Sequence, residues 1–438
     1  MKKRICILLI LAAVCLLSAC QIRTVDQMYR VPKRPESYDD LQSVMDSAMT
    51  GMDYSAPRAG ENQQTVQMAD LDGDGIREYL LYAKGDGDKP LLILIFTQST
   101  DGYVLLDTIG CTGSTFDLVE YVQMDGLGGM EIVVGCQISQ DVPRSVCVYT
   151  LEQGSLHQLF STNYSKFLTC DLNEDQKMEL LVLRPGVDTE QGMAELYSVE
   201  DGVVERAKEI QMSGPTEKLK RVITGRLHGG RPAVFVATSV EENAIITDVY
   251  AMIGDVFTNI SLSKDSGTSV QTLRNYYVYA DDIDEDGEVE LPSLITMKPL
   301  QQENKVDQQY LIRWYAIGED GSETDKMHTY HNYLGGWYLQ LDPAWTDRIT
   351  VSQDGNVYAF YLWDENYLTS QKIFSILVLS EQNREEQAVL DNRFVVYKSE
   401  SVIYAARLEV ASGALCLTQN ELIESFHLIR QDWKTGEM

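Results

Sequence analysis

Acids fall at every second position in Asp70-Leu71-Asp72-Gly73-Asp74, and Gly75 and Glu78 follow. Three carboxylates spaced two apart repel one another unless a cation sits between them. Hard oxygen ligands at positions 1, 3 and 5, with glycine at 6 for a sharp turn, are what a calcium ion with its oxygen-rich shell requires. The pattern returns in Asp171-Leu172-Asn173-Glu174-Asp175-Gln176-Lys177-Met178-Glu179 and in Asp282-Ile283-Asp284-Glu285-Asp286-Gly287-Glu288-Val289-Glu290. Each copy leads into an apolar segment. One acidic stretch alone reads as a solvated turn; three in register make a repeat protein.

The spacing at the front of each loop fits an EF-hand, but an EF-hand also needs a bidentate Glu at position 12 and flanking helices. Position 12 is Leu81, Val182 or Ser293, and the acid falls at position 9 instead. The flanks are short and β-prone, so the expectation is a nine-residue calcium loop joining two strands. Its ligands would be the side chains of Asp70, Asp72, Asp74 and Glu78, of Asp171, Asn173, Asp175 and Glu179, and of Asp282, Asp284, Asp286 and Glu290. Backbone carbonyls at position 7 (Ile76, Lys177, Glu288) complete each set. These loops resemble those of FG-GAP and VCBS repeats, the β-propeller repeats also found in integrin α-chain heads. The resemblance implies that each loop joins the first two strands of a blade. Gln176 departs from it at position 6, where glycine is more easily accommodated, so the middle loop is expected to bind most weakly.

Glu131 closes a related loop, Asp125-Gly126-Leu127-Gly128-Gly129-Met130-Glu131, which has one acid at its front and keeps the turn without the cation site. A fourth unit, without carboxylates, runs from Gly225 through Gly229 and Gly230. The closing residues Glu78, Glu131, Glu179 and Glu290 lie at steps of about 50 residues, the last step double, which is the length of a four-stranded blade. The fold expected is all-β dominated: a six- or seven-bladed β-propeller with a short N-terminal helix and a small C-terminal mixed region ending in a helix. Residues 60–340 would hold the repeats, and residues 341–438 further blades or a small α+β region. In the last segment Leu422, Ile423, Phe426 and Ile429 read as one helical face. Near the other end, Leu41, Val44, Met45, Ala48 and Met49 line one face of a helix over residues 37–51.

Residues 1–19 read as a signal peptide: Lys2, Lys3 and Arg4 precede an apolar run too short to span a bilayer. Leu17-Ser18-Ala19-Cys20 resembles the bacterial lipobox, which implies diacylation of Cys20, residues 20–36 as a tether, and anchoring to a membrane on its extracytoplasmic face. The 66 acidic and 36 basic residues give a net charge of −30, which opposes nucleic acid as a partner and favours cations. Of eight Cys, five remain beyond Cys20 (Cys111, Cys136, Cys147, Cys170, Cys416) without metal spacing. A Cys136–Cys147 bridge or buried free thiols are both open. His328 and His331 lack the companion Glu of a zinc protease. Tyr330, Tyr333, Trp337, Tyr338 and Trp345 could line a sugar-binding surface, though such residues are more often core. No catalytic constellation is found. The role expected is that of a lipid-anchored binding protein held by two or three structural calcium ions, presenting one face to an unknown protein or glycan. The alternative is a propeller-based polysaccharide lyase or hydrolase.

Overall fold

The computed structural model describes residues 36–139, 144–186, 191–200, 202–205, 208–240, 244–300, 308–364, 370–409 and 417–430. The signal peptide, Cys20, the tether and Cys416 lie outside them. Among the described residues six antiparallel sheets of four or five strands follow one another along the chain, with one two-stranded ribbon, Val199–Glu200 with Val203–Val204. The all-β expectation holds at this level.

Sheet 1 pairs Glu78–Lys84, Leu91–Ser99 and Gly102–Cys111 in sequence, with Asp53–Tyr54 and Val66–Ala69 both along its first edge. Sheet 2 is a meander of Thr115–Val122, Glu131–Gln137, Arg144–Glu152 and Ser155–Tyr164. Sheet 3 uses Lys166–Cys170, Glu179–Pro185, Gly192–Tyr197 and Lys208–Gln211, and sheet 4 uses Leu219–Arg226, Pro232–Ser239, Ile245–Ile253 and Val256–Asn259. Sheet 5 runs Glu290–Thr296, Tyr310–Ile317, Glu323–Asn332 and Trp337–Leu341; sheet 6 is built on Ile349–Asp354, Val357–Leu362, Gln371–Leu379, Ile403–Leu408 and Phe394–Lys398.

The apolar runs are explained by burial on both faces. In Leu180-Leu181-Val182-Leu183 all four side chains are buried, and they alternate between partners. Leu180 and Val182 pack toward sheet 2, while Leu181 and Leu183 pack toward sheet 4. A strand covered on both sides reads as continuous rather than alternating hydrophobicity. The same division recurs in Leu80 and Tyr82 against Leu81 and Ala83, and in Val234 and Val236 against Phe235. Each sheet thus packs on the next in chain order.

The two ends of this series differ from the middle. Helix α1 (Glu36–Ala48) lays Leu41, Met45 and Met49 over Leu81, Ala83, Leu94 and Phe96, the far face of sheet 1. The far face of sheet 6 (Leu377, Leu379, Ile403, Ala405) is met by Ala388, just after the short helix α2 (Arg384–Gln387). These are the faces that a closed ring would press together. Among the described residues the six larger sheets pack as a series, and no closed ring of blades is seen.

The C-terminal helix is shorter than the periodicity suggests. Helix α3 spans Gln419–Glu424, capped by Thr418 and Glu421. Phe426–Leu428 is a strand, and it returns to pair with Trp337–Leu339 on sheet 5. Leu422, Phe426 and Ile429 are buried as expected, but Ile423 is 40% exposed. The aromatic cluster is core: Tyr330, Trp337 and Tyr338 are buried among Phe360, Phe426 and Tyr358.

Candidate metal centres

The loop at Asp70 is shaped by its own amides. Gly73 N and Gly75 N donate to the two oxygens of Asp70 (2.8 and 3.0 Å), Asp74 N to Asp72 (3.1 Å) and Ile76 N to Asp74 (2.6 Å). The closing Glu78 accepts from Leu71 N at 2.9 Å. These short-range bonds turn the carboxylates inward. The middle loop repeats them: Gln176 N to Asp171, Asp175 N to Asn173, Lys177 N to Asp175, Leu172 N to Glu179. The last does so as well: Gly287 N to Asp282, Asp286 N to Asp284, Glu288 N to Asp286, Ile283 N to Glu290.

Each loop brings three acids together. Asp70, Asp72 and Glu78 offer oxygens within 4.8 Å of one another, as do Asp171, Asp175 and Glu179, and Asp282, Asp284 and Glu290. Asp74 and Asp286 fall outside these triplets; Lys326 pairs with Asp286. Position 6 has positive φ throughout: Gly75 +86°, Gln176 +70°, Gly287 +89°. So does position 4, where Glu174 (64°) and Glu285 (62°) stand in place of Gly73. The first and middle loops join two strands, as expected. The last is entered from an isolated bridge, Asp281 with Glu290, rather than from a full strand.

Burial pushes the Glu179 carboxyl up to about 7 and that of Glu290 up to about 8, with neighbouring aspartates adding to the effect, and it raises Glu78. A carboxylate costs free energy when desolvated among like charges. Two oxygens are buried without a hydrogen-bond partner, Glu290 Oε1 and Asp171 Oδ1. Hard anionic oxygens in clusters of three, each closed by a buried Glu, fit a divalent cation of calcium type. Position 7 differs from loop to loop: the Ile76 side chain is exposed, Lys177 reaches Asp175 and Glu200, and Glu288 is bound from outside. Against the cost of burial, bonds from His228, Lys326 and Gly229 N hold Glu288 down at about 2.

The loop at Glu131 has the same frame with only two of the four acids, Asp125 and Glu131. Counting back from Glu131, Gln123 stands at position 1. Gly126 N donates to Gln123 Oε1 (2.8 Å), Leu127 N to Asp125 (2.7 Å) and Met124 N to Glu131 (2.7 Å). Gln123 Nε2 then donates to Gly129 O, the position-7 carbonyl, at 2.8 Å. A neutral amide group thus engages the oxygen that a cation would draw on. The residue at position 2 is a buried apolar plug in every unit: Leu71, Met124, Leu172, Leu227 and Ile283. This feature was readable in the sequence as an apolar residue inside an acidic loop.

The loops also bond to one another. Met130 N reaches Asp70 O (3.0 Å), Met178 N reaches Gln123 O (2.8 Å), Arg226 meets Glu174 (3.2 Å), and Val289 N reaches Arg226 O (2.9 Å). They form one rim across five sheets. A hollow of about 500 Å³ opens on it, lined among others by Asp171, Glu174, Gln176, Arg226 and Gly287.

The other sequence candidates are structural. His331 is buried and stacks near Trp314 and Tyr338, and His328 contacts Thr346. Cys111, Cys136, Cys147 and Cys170 are free thiols; Cys136 stands opposite Ser145 and Cys147 opposite Val134.

No protein-family model matches the chain. No curated protein matches it either. Among solved structures it is similar to the exotype rhamnogalacturonan lyase YesX, at 13% identity over 74% of this chain and 65% of that one, with a TM-score of 0.29. It is also similar to rhamnogalacturonan lyase YesW, at 12% identity over 73% and 66%, with a TM-score of 0.28. The chain spans less than two thirds of the length of either.

Proposed function

We propose that this chain is a calcium-stabilised array of propeller-type blades, of the FG-GAP/VCBS kind, that works as a binding module. In this reading Cys20 carries a lipid that holds the protein on the extracytoplasmic face of a membrane. The observation that carries the calcium assignment is the thrice-repeated loop that gathers three acids, the last of them a buried Glu. Asp70, Asp72 and Glu78, then Asp171, Asp175 and Glu179, then Asp282, Asp284 and Glu290 hold the ions, with Asp74, Asn173 and Asp286 beside them. When bound, calcium supplies a fixed positive charge that holds the loop closed, so binding energy becomes folding energy.

Binding suits this arrangement better than catalysis. The loop carboxylates are occupied as acceptors of backbone N–H groups, and a bound cation makes a carboxylate a poor general acid. The rim, with its hollow beside Arg226, is the surface proposed to meet a protein or glycan. The test is a thermal melt of residues 21–438 in EDTA, with calcium titrated back. A rise in melting temperature that saturates, and is lost on Asp70→Ala and Asp282→Ala together, supports the assignment; no shift removes it. Incubation with pectic and other polysaccharides tests the alternative. Release of unsaturated or reducing products would replace the binding module by an enzyme.

A further inference from the structure

This acidic chain buries a guanidinium that has no carboxylate partner among the described residues. Arg274 is 3% exposed, and it sits where the 270–281 segment crosses from sheet 4 to sheet 5. Its Nε donates to Val278 O (2.6 Å), and its Nη1 donates to Thr247 Oγ1 (3.1 Å) and Thr272 O (2.9 Å). All three acceptors are neutral. The Nη2 group, with its two N–H donors, has no partner. The hydroxyl of Tyr333, which shares the electrostatic field of Arg274, is also buried and has no partner among the described residues.

The charge is present at neutral pH. Burial lowers Arg274 only to about 10, and the side chains that share its field are Tyr315, Tyr333 and Tyr279. None of these supplies a negative charge there, since burial pushes each phenol up. Of the two buried carboxylates of this region, Asp281 is taken by Arg221 (3.2 Å) and by Arg430, and Asp248 by Ser213, Ser269 and Asn259. A buried cation with no anion costs far more than a missing hydrogen bond. Two unmet donor groups in one buried region, one of them charged, call for an anion rather than a cation.

We propose that Arg274 Nη2 and the Tyr333 hydroxyl hold a small monovalent anion of halide type, chloride in its natural form, as a resident counter-ion. A single-atom anion suits close-packed surroundings and sheds its hydration more readily than a phosphate or carboxylate. Its role is to fasten the 270–281 segment, and with it the entry to the loop at Asp282, to sheets 4 and 5.

The experiment uses residues 21–438 saturated with calcium. Melts are compared in sodium gluconate, sodium chloride and sodium bromide at constant sodium. Chloride and bromide should each raise the melting temperature to a plateau that gluconate does not reach. Tyr333→Phe, which keeps the ring, should raise the halide concentration at half-effect at least tenfold. Arg274→Met, which removes the charge, should abolish the halide effect. Crystals grown with bromide should show an anomalous peak within hydrogen-bond reach of Nη2, a result independent of whether Arg274→Met folds. Equal melts in gluconate and halide, or water in place of bromide at that position, would overturn the proposal. Loss of the calcium effect would leave this outcome unchanged, so the two assignments fail separately.

Discussion

The loops at Asp70 and Gln123 share a backbone and differ in what sits inside. Both turn on the same amide donors, both plug position 2 with an apolar side chain, and both close with a buried Glu that takes the position-2 N–H. In the first, Asp70, Asp72 and Glu78 face one another. In the second, Gln123 fills position 1 and its amide nitrogen bonds the position-7 carbonyl. The frame is therefore common to both loops, and the acid triplet is particular to the first. In the second, a neutral side chain stands at position 1, and the unit keeps its strand pairing with only Asp125 and Glu131 as loop acids.

The largest effect expected is from chelation. Each site saturated at about 100 times its Kd contributes about 2.7 kcal/mol. EDTA should therefore lower the melting temperature of the whole array, while strands flanking the Gln123 loop keep more amide protection from hydrogen exchange than those flanking Asp70. Equal loss of protection in both would break the comparison.

A second contrast lies in pH. Burial, with the charge of Asp125 adding, raises Glu131 from its ordinary 4.5 to about 7. The folded state then binds a proton that the unfolded state has released. This stability is complete below pH 4.5 and is lost as pH rises through about 7. Glu131→Gln should remove that slope and make the protein more stable at pH 8, by at most about 3 kcal/mol. Urea melts across pH 5–8 measure it, and an unchanged slope would show that Glu131 is not the group responsible.

Asp70→Ala and Gln123→Ala sharpen the difference further. The first should cost about 2.7 kcal/mol in calcium and much less in EDTA. The second should cost about 1 kcal/mol, the value of one buried hydrogen bond, equally in both. The double change Gln123→Asp with Leu127→Asp should convert the second loop to the first. Calorimetric titration would then count one more calcium ion per chain, and an unchanged count would mean that the frame alone does not make a site. The smallest effect is that of Gln176→Gly. Relieving a positive φ of +70° should stabilise by about 0.5–1 kcal/mol and tighten the middle site. A weaker site in that variant would mean that Gln176 contributes to binding.

Much of this was legible in the sequence because it is local. An Asp that folds back on the amide two residues on makes a tight turn by itself, so Asp72, Asp74, Asp175, Asp284 and Asp286 announce their loops without any tertiary context. The same holds for Leu41, Met45 and Met49 on one helical face, and for Tyr310–Ile317 and Phe394–Lys398 as strands. Local reasoning failed where a distant partner decides. Phe426 continues a helical periodicity, yet it leaves the helix because Trp337–Leu339 offers an open strand edge. Glu174 and Glu285 are poor choices for positive φ, and they are held there by the loop bonds around them.

The sequence by itself determined that the chain is built from repeated strands and where the acidic turns fall, since that is set within about nine residues; which three acids of each turn come together, leaving out Asp74 and Asp286, was seen only in the structure. Only the tertiary structure decided which face of each apolar run meets which neighbour, since Leu180 and Leu181 are indistinguishable until two sheets flank them. It also decided that the end faces of the series meet α1 and the segment after α2, that the turns join into one rim, and that Arg274 comes to rest among neutral acceptors. These outcomes depend on contacts between residues tens to hundreds of positions apart, which no local spacing encodes.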